Sequence, residues 1–181
     1  MKRLGLSLGL CLLCILHARA EQLRAVGLDT SKIAGKWHVV ALASDSEGLL
    51  QKKEQLKMAM ATLTVLGGDE LKVSFAIPTL EGCRRSEAIY RPTAVPGEFY
   101  SSERGPKTVQ VLDTDGQTYA VIFATRVKDG KTYHMLRLYS RTPEVSPEIT
   151  ALFKKFAREK NYTEEMMVLL PRQEECSVDE V

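Results

Sequence analysis

The chain predicts an all-β fold, an up-and-down antiparallel barrel or a two-sheet sandwich, with one helix near the C-terminus. Three observations carry this. Short runs rich in β-branched and aromatic residues follow one another from residue 36 to residue 140. Glycine, proline and Asp-Gly pairs separate them at short, regular intervals. A single apolar stripe with helical spacing comes after the last run.

Residues 1–20, MKRLGLSLGLCLLCILHARA, read as a secretory signal peptide. Lys2 and Arg3 form its positive start, Leu4 to Ile15 its apolar core, and Ala18-Arg19-Ala20 its small-residue cleavage site. The core is too short to cross a bilayer, and no later segment approaches spanning length. One secreted domain, 21–181, is expected to remain. Cleavage removes Lys2, Arg3 and Arg19 and no acids, so 25 basic residues become 22 against 23 acidic. A nearly neutral domain of this kind is a poor nucleic-acid or membrane-surface binder, so useful positive charge has to be local. Cys11 and Cys14 leave with the signal. Cys83 and Cys176 remain in an oxidising compartment, where a disulfide between them is the simple expectation.

The expected strands are 36–44, 57–66, 70–77, 84–92, 98–103, 107–113, 118–127 and 131–140. Gly67-Gly68-Asp69, Glu81-Gly82 and Pro96-Gly97 mark turns between earlier strands, and Asp115-Gly116 and Asp129-Gly130 separate the last three. The helix starts at Ser146 as N-cap, with Pro147 at the first helical position and Glu148 complementing the dipole. Ile149, Leu152, Phe153 and Phe156 make its apolar stripe. Lys154, Lys155, Arg158 and Lys160 read as a solvated face.

The Asp-Gly turns also set a register. Two-residue loops place Arg126 across from Tyr133, Ile122 across from Arg137, and Lys107 across from Ala124. Side chains alternate between faces, so Lys107, Arg126 and Arg137 share one face of three adjacent strands with Val109, Val111, Ala120, Ile122, Ala124, Tyr133, Met135 and Tyr139. The other face carries Leu112, Tyr119, Val121, Phe123, Leu136 and Leu138, which suits the helix stripe. If the first face lines a cavity, three cations point into it, and unpaired buried cations call for an anionic ligand. Pattern alone leaves a solvated cluster equally open, because a slipped turn moves a side chain to the opposite face.

Gly35-Lys36-Trp37, at the start of the first strand, resembles the first motif of the lipocalin family. VLDTDGQTYAVIFATR resembles the second motif and LRLYSRTP, ending around Arg141, the third. The resemblance implies an eight-stranded up-and-down antiparallel lipocalin barrel with one C-terminal α-helix packed outside. It also implies that Trp37, after Gly35, closes the base of the barrel under Arg141.

LDTD, YAVIFATRVKDG, RLYSR, EVSP, NYT and QEECSVDEV further resemble the siderocalin-like subgroup of avian extracellular fatty-acid-binding and chondrogenesis-associated lipocalins. That likeness, as a paralogue, implies a calyx taking a ferric catecholate siderophore, for iron sequestration in antibacterial innate defence, and lysophosphatidic acid or fatty acids. The ligand-binding set it implies is Lys107, Arg126 and Arg137, with Phe75, Ile122, Tyr133 and Met135 beside them. No cofactor and no protein metal site is implied; iron enters only inside the siderophore. Ser86, Gly116 and Phe75 depart from the expected pattern, where a tryptophan and two tyrosines are usual.

Other classes remain to be weighed. One lipocalin branch isomerises a prostaglandin with a cavity thiol, which needs a free cysteine. His38 and His134 show no triad or metal spacing. A carrier of other small hydrophobic ligands, or a protein whose role is contact with a cell-surface receptor, is the remaining alternative. Asn161-Tyr162-Thr163 is a glycosylation sequon at Asn161. DTDGQT lacks EF-hand spacing and reads as a turn. Met58 and Met60 are expected along the core or cavity wall, and the acidic tail 174–180 as a solvated end tethered by Cys176.

Overall fold

The computed structural model describes residues 28–176. The signal-peptide segment 1–20 and the last residues of the acidic tail lie outside the described residues. The chain opens with a short helix α1 (Thr30–Ile33), whose N-cap Asp29 accepts a hydrogen bond from the Ser31 amide. Strand β1 (Gly35–Ser44) follows, then a short helix α2 (Glu47–Leu50). Next come β2 (Ala59–Val65), β3 (Leu71–Thr79), β4 (Gly82–Pro92), β5 (Glu98–Ser101), β6 (Lys107–Thr114), β7 (Tyr119–Lys128) and β8 (Lys131–Ser140). Helix α3 (Pro147–Glu159) and a short strand β9 (Met167–Leu169) complete the order.

Strands β1 to β8 pair antiparallel with their sequence neighbours, and β1 closes the ring by pairing with both β2 and β8. All eight predicted strands are present, with ends displaced by up to two residues. Strand β9 was not anticipated. It pairs with β1 at Ala41, Leu42 and Ala43, where β2 has already left that edge. A three-residue strand carries little local signal, and only the neighbouring edge creates it.

The helix lies where its stripe predicts. Ser146 accepts from the Ile149 amide as N-cap. Phe153 and Ala157 are fully buried, in one core cluster with Val121, Leu136 and Leu138 from the outer face of the barrel. After the helix the chain runs along β1 and then crosses β2, where Pro171 accepts from the Met58 amide. It ends at Cys176, joined to Cys83 as expected. Met60 therefore does not line the cavity: it packs outside, with Ala76, Cys83 and Cys176, beneath this returning tail. The tail supplies apolar cover on the outer side of β2 while the barrel core covers the inner side, so alternation along the strand does not reveal which side encloses the cavity.

The turns decide the register. Asp129 and Gly130 both have positive φ, and the β7–β8 pairing matches expectation: Arg126 opposite Tyr133, Ile122 opposite Arg137. The β6–β7 connection differs. The Asp115 carboxylate accepts from the amides of Gln117, Thr118 and Tyr119 and from the Thr118 hydroxyl, so the loop occupies four residues, 115–118. Beside this loop Thr114 pairs with Ala120, three positions from the predicted register, and a β-bulge at Leu112 takes one position back, so Lys107 faces Arg126, not Ala124 as predicted. The displacement is by two positions, so all three cations keep their common face.

Candidate functional site

Inside the barrel is an apolar cavity. Its wall comes from alternate positions of neighbouring strands, including Val73 and Phe75 of β3, Tyr90 of β4, Phe99 of β5, Val109 and Val111 of β6, Ile122 of β7, and Arg137 and Tyr139 of β8. At one end it is floored by Ile33 and Trp37. The Trp37 indole N–H donates to the Ile33 carbonyl at 2.7 Å, so helix α1 positions the ring. Arg141 closes this end from outside, with its guanidinium 3.8 Å from the indole centroid. It donates to the carbonyls of Gln117, Lys36, Lys32 and Ala34 at 2.8–3.1 Å, tying three chain segments together. Gly35 has φ +96°, and a Cβ there would stand 3.3 Å from Arg141 Nη1, so this glycine is set both by backbone conformation and by the close approach.

The cations lie in tiers. Lys107, Arg126 and Tyr133 form a cross-strand row toward the open end. Val109, Ala124 and Met135 form the next row, and Val111, Ile122 and Arg137 the one below. A β-bulge at Val40 brings Leu42 opposite Arg137 in that deeper row. Arg137 lies 5.6 Å from the Phe75 ring centroid, its Nε donates to Met135 Sδ at 3.1 Å, and its Nη1 to the Tyr139 hydroxyl at 3.4 Å. The ion pairs of the described residues, such as Arg91–Glu70 and Arg158–Glu164, are elsewhere on the surface, and none includes Lys107, Arg126 or Arg137. Burial and then the nearby Arg126 and Arg104 guanidiniums pull the Lys107 ammonium below its ordinary pKa. Burial raises the Tyr90 phenol, with Arg137, Arg104 and Arg126 working against it.

Of the expected ligand-binding residues, Phe75, Ile122 and Arg137 line the cavity itself. Met135 touches it through Arg137. Lys107 and Arg126 stand above it, and Tyr133, 38% exposed, sits at the rim beside Arg126. Ser86, one of the unusual positions, faces Phe75 across β3–β4. Reading the sequence missed Tyr90 and Phe99, whose strands are joined by a longer loop that gives no register. It also missed Arg104, a loop residue with positive φ whose Nη2 donates to the Glu87 carbonyl at 2.5 Å. His134 stacks on Phe123, 5.5 Å between ring centroids, on the outer face. Asn161 is exposed in the turn after α3. Among the described residues no helix is long and apolar enough to cross a membrane.

Comparisons with known proteins agree with this architecture. The model of the lipocalin / cytosolic fatty-acid binding protein family matches residues 34–174. The chain is 60% identical to the extracellular fatty acid-binding protein of Coturnix japonica and 57% identical to that of Gallus gallus, each over the full length of both chains. It is 31% identical to the prostaglandin-H2 D-isomerase of Felis catus, covering 93% of each chain. Among solved structures it resembles the siderocalin Ex-FABP, described as functioning through dual ligand specificities, with a TM-score of 0.78 and 56% identity over 82% of this chain and 99% of that one. A second siderocalin, described as having a dual ligand binding mode, matches with a TM-score of 0.75 and 60% identity over 84% of this chain and 98% of that one. A closed eight-stranded barrel around an apolar calyx, floored by the Trp37–Arg141 stack and matched along nearly all its described length, makes this chain a member of the lipocalin family.

Proposed function

We propose that this protein is a secreted, non-enzymatic lipocalin that captures an anionic small ligand in its calyx, with a ferric catecholate siderophore as the principal ligand. One observation carries the reading: Arg137 projects into an apolar cavity with no carboxylate partner among the described residues, beneath the facing pair Lys107 and Arg126. A tris-catecholate is multiply negative and aromatic. Three cations on two levels offer it charge attraction and cation–π contact with its rings. The siderophore fills the iron's coordination sphere, so the protein supplies no metal ligand, and sequestering the complex withholds iron from bacteria.

A second reading has its own support. Below Arg137 the cavity continues past Ala120 and Val73 to Trp37, an apolar depth suited to an alkyl chain. Lysophosphatidic acid or a fatty acid would extend its chain there and leave its head group with the cations. Prostaglandin isomerase chemistry is disfavoured because Cys83 is joined to Cys176 and packs with Met60 on the outside of the barrel, away from the calyx. The leader 1–20, secretion, and glycosylation at Asn161 belong to the same proposal, as does any cell-surface receptor for the loaded protein.

The test is a fluorescence-quenching titration of the mature protein with ferric enterobactin, beside the triple variant Lys107→Ala, Arg126→Ala, Arg137→Ala. Tight quenching that disappears in a folded triple variant is the expected result. Absence of quenching in the natural protein overturns the siderophore reading and directs the titration to lysophosphatidic acid and fatty acids.

A further inference from the structure

The outside of the open end carries an apolar tip and a set of cations that neither the core nor the calyx uses. In an up-and-down barrel the β1–β2, β3–β4, β5–β6 and β7–β8 connections all leave at the end away from Trp37. There the β3–β4 hairpin turns through Leu80 and Glu81. Thr79 and Gly82 shape this turn: the Thr79 hydroxyl donates to the Gly82 carbonyl at 2.8 Å and accepts from the Glu81 amide at 3.3 Å, and Gly82 has φ +112°. Leu80 has no part in it. At a position that ordinarily takes Gly, Asn, Asp or Ser, its side chain is 84% exposed, the most of any large hydrophobic residue among those described. Beside it Leu56, Ile77 and Pro78 line a groove together with Lys52 and Arg84. The charge is equally local. Segments 45–58, 79–85, 102–107 and 126–131, which form this end, hold ten Lys or Arg against six Asp or Glu, although the mature chain is nearly neutral. Lys52, Lys53, Arg84, Arg85, Lys128 and Lys131 are exposed, and none of them enters an ion pair among the described residues.

We propose that this end of the barrel is a docking surface for an anionic lipid bilayer, with Leu80 entering the interface, the cations over the head groups and the calyx mouth turned toward the membrane. The topology favours a broad partner. In a closed ring of eight strands the β3–β4 and β7–β8 connections are four strands apart, on opposite sides of the mouth. A peptide seated in the groove meets Lys52 and Arg84 and leaves Lys128 and Lys131 without a counter-charge. A flat anionic surface meets all of them at once. Leu80 stands at a convex tip, a shape that penetrates an interface, and Lys and Arg stems let the charges reach head groups while the apolar tip goes deeper. Near such a surface each Lys or Arg contributes about fivefold in affinity, offset in part by Glu54, Glu81 and Asp129 of the same connections. Apolar insertion and charge add, which gives reversible attachment. The surface lies outside the barrel and serves whichever ligand the calyx takes.

The experiment sediments the mature protein with vesicles of phosphatidylcholine and with vesicles of phosphatidylcholine and phosphatidylserine, at low and at physiological salt. The expected result is binding to the mixed vesicles only, weaker at the higher salt. Leu80→Ser should weaken it about tenfold, and Lys128→Glu with Lys131→Glu about tenfold or more, both with the natural melting temperature. In Leu80→Trp the emission should shift to the blue on mixed vesicles, a change assigned to the tip because Trp37 is already buried. Arg137→Met alters the calyx without touching this surface and should bind mixed vesicles as the natural protein does, so failure of the calyx reading and failure of this one are separate results. No binding to mixed vesicles at low salt overturns the proposal, as does equal binding to both kinds of vesicle. Binding that ignores both Leu80→Ser and the Lys128, Lys131 reversal overturns it too. Loss of binding in Arg137→Met makes the attachment lipid capture by the calyx, also against the proposal. Self-association of the natural protein that disappears in Leu80→Ser, with no vesicle binding, assigns the tip to a second copy of the chain and likewise overturns it.

Discussion

Replacing Arg141 with alanine tests how the closed end of the barrel is held. The side chain stacks 3.8 Å from the Trp37 ring centroid and donates to the carbonyls of Gln117, Lys36, Lys32 and Ala34. A cation–π contact of this kind contributes about 0.5–2 kcal/mol, and each hydrogen bond about 0.5–1.5 kcal/mol net. Several of the carbonyls are exposed and regain water when the guanidinium is removed, so the lower part of that range applies. The expected loss is about 3–4 kcal/mol. For a domain of this size each kcal/mol shifts the midpoint by about 2–4 °C, so Arg141→Ala should melt roughly 10 °C below the natural protein. The assay is thermal and urea unfolding followed by the emission of the single Trp37, with circular dichroism to confirm the fold. Arg141→Lys keeps the charge but not the planar fork, and should recover less than half of the loss. A double-mutant cycle with Trp37→Leu, followed by circular dichroism because that variant has no tryptophan, isolates the stacking and should give a coupling of about 0.5–2 kcal/mol. A fall of less than about 2 °C for the alanine variant, or full rescue by lysine, would refute the account of Arg141 as a multi-strand clasp.

Three further outcomes follow from the same geometry. Arg137→Met should leave the ligand-free protein as stable as before or more so, because it removes a cation from an apolar cavity, while abolishing siderophore quenching; a large drop in melting temperature would show that Arg137 is structural. Breaking the disulfide with Cys83→Ser and Cys176→Ser, which opens a loop with a sequence separation of 93, should cost about 4–5 kcal/mol by the loop-entropy relation, read from denaturant midpoints with and without reductant. Burial raises the Asp115 carboxyl, but hydrogen bonds from Thr118, Gln117 and Tyr119 outweigh it and hold the pKa at about 2, below the ordinary 3.8. A carboxyl depressed in the folded state stabilises above its unfolded pKa, and this contribution disappears as pH falls from about 4 to 2. Asp115→Asn should flatten that acid limb in melts across the pH range, and an unchanged limb would contradict the assignment.

Much of this architecture is legible in the residues because local chemistry decides it. Asp129-Gly130 supports positive φ at both central positions, so the β7–β8 register and the shared face of Arg126 and Arg137 follow without long-range information. The Ser146 cap and the spacing of Phe153 similarly determine where α3 begins and which side it buries. The base of the barrel is different in kind: Gly35, Trp37 and Arg141 mark it through their resemblance to lipocalin motifs, not through local chemistry.

Other features depend on groups that meet only after folding. The Asp115 carboxylate gathers three amides and lengthens a turn that reads as two residues, and together with a bulge at Leu112 this moves Lys107 opposite Arg126. The bulge at Val40 turns Leu42 toward Arg137. The returning tail makes Met60 an outer-core residue, and the edge left by β2 creates β9. Alternation along β6, β7 and β8, taken with the turns between them, put the three cations on one face, and this survived the longer β6–β7 loop because loop and bulge together shift the register by an even number of residues. Closure of all eight strands decided their depth, Arg137 within the apolar wall and Lys107 and Arg126 above it, because depth depends on registers summed around the whole barrel.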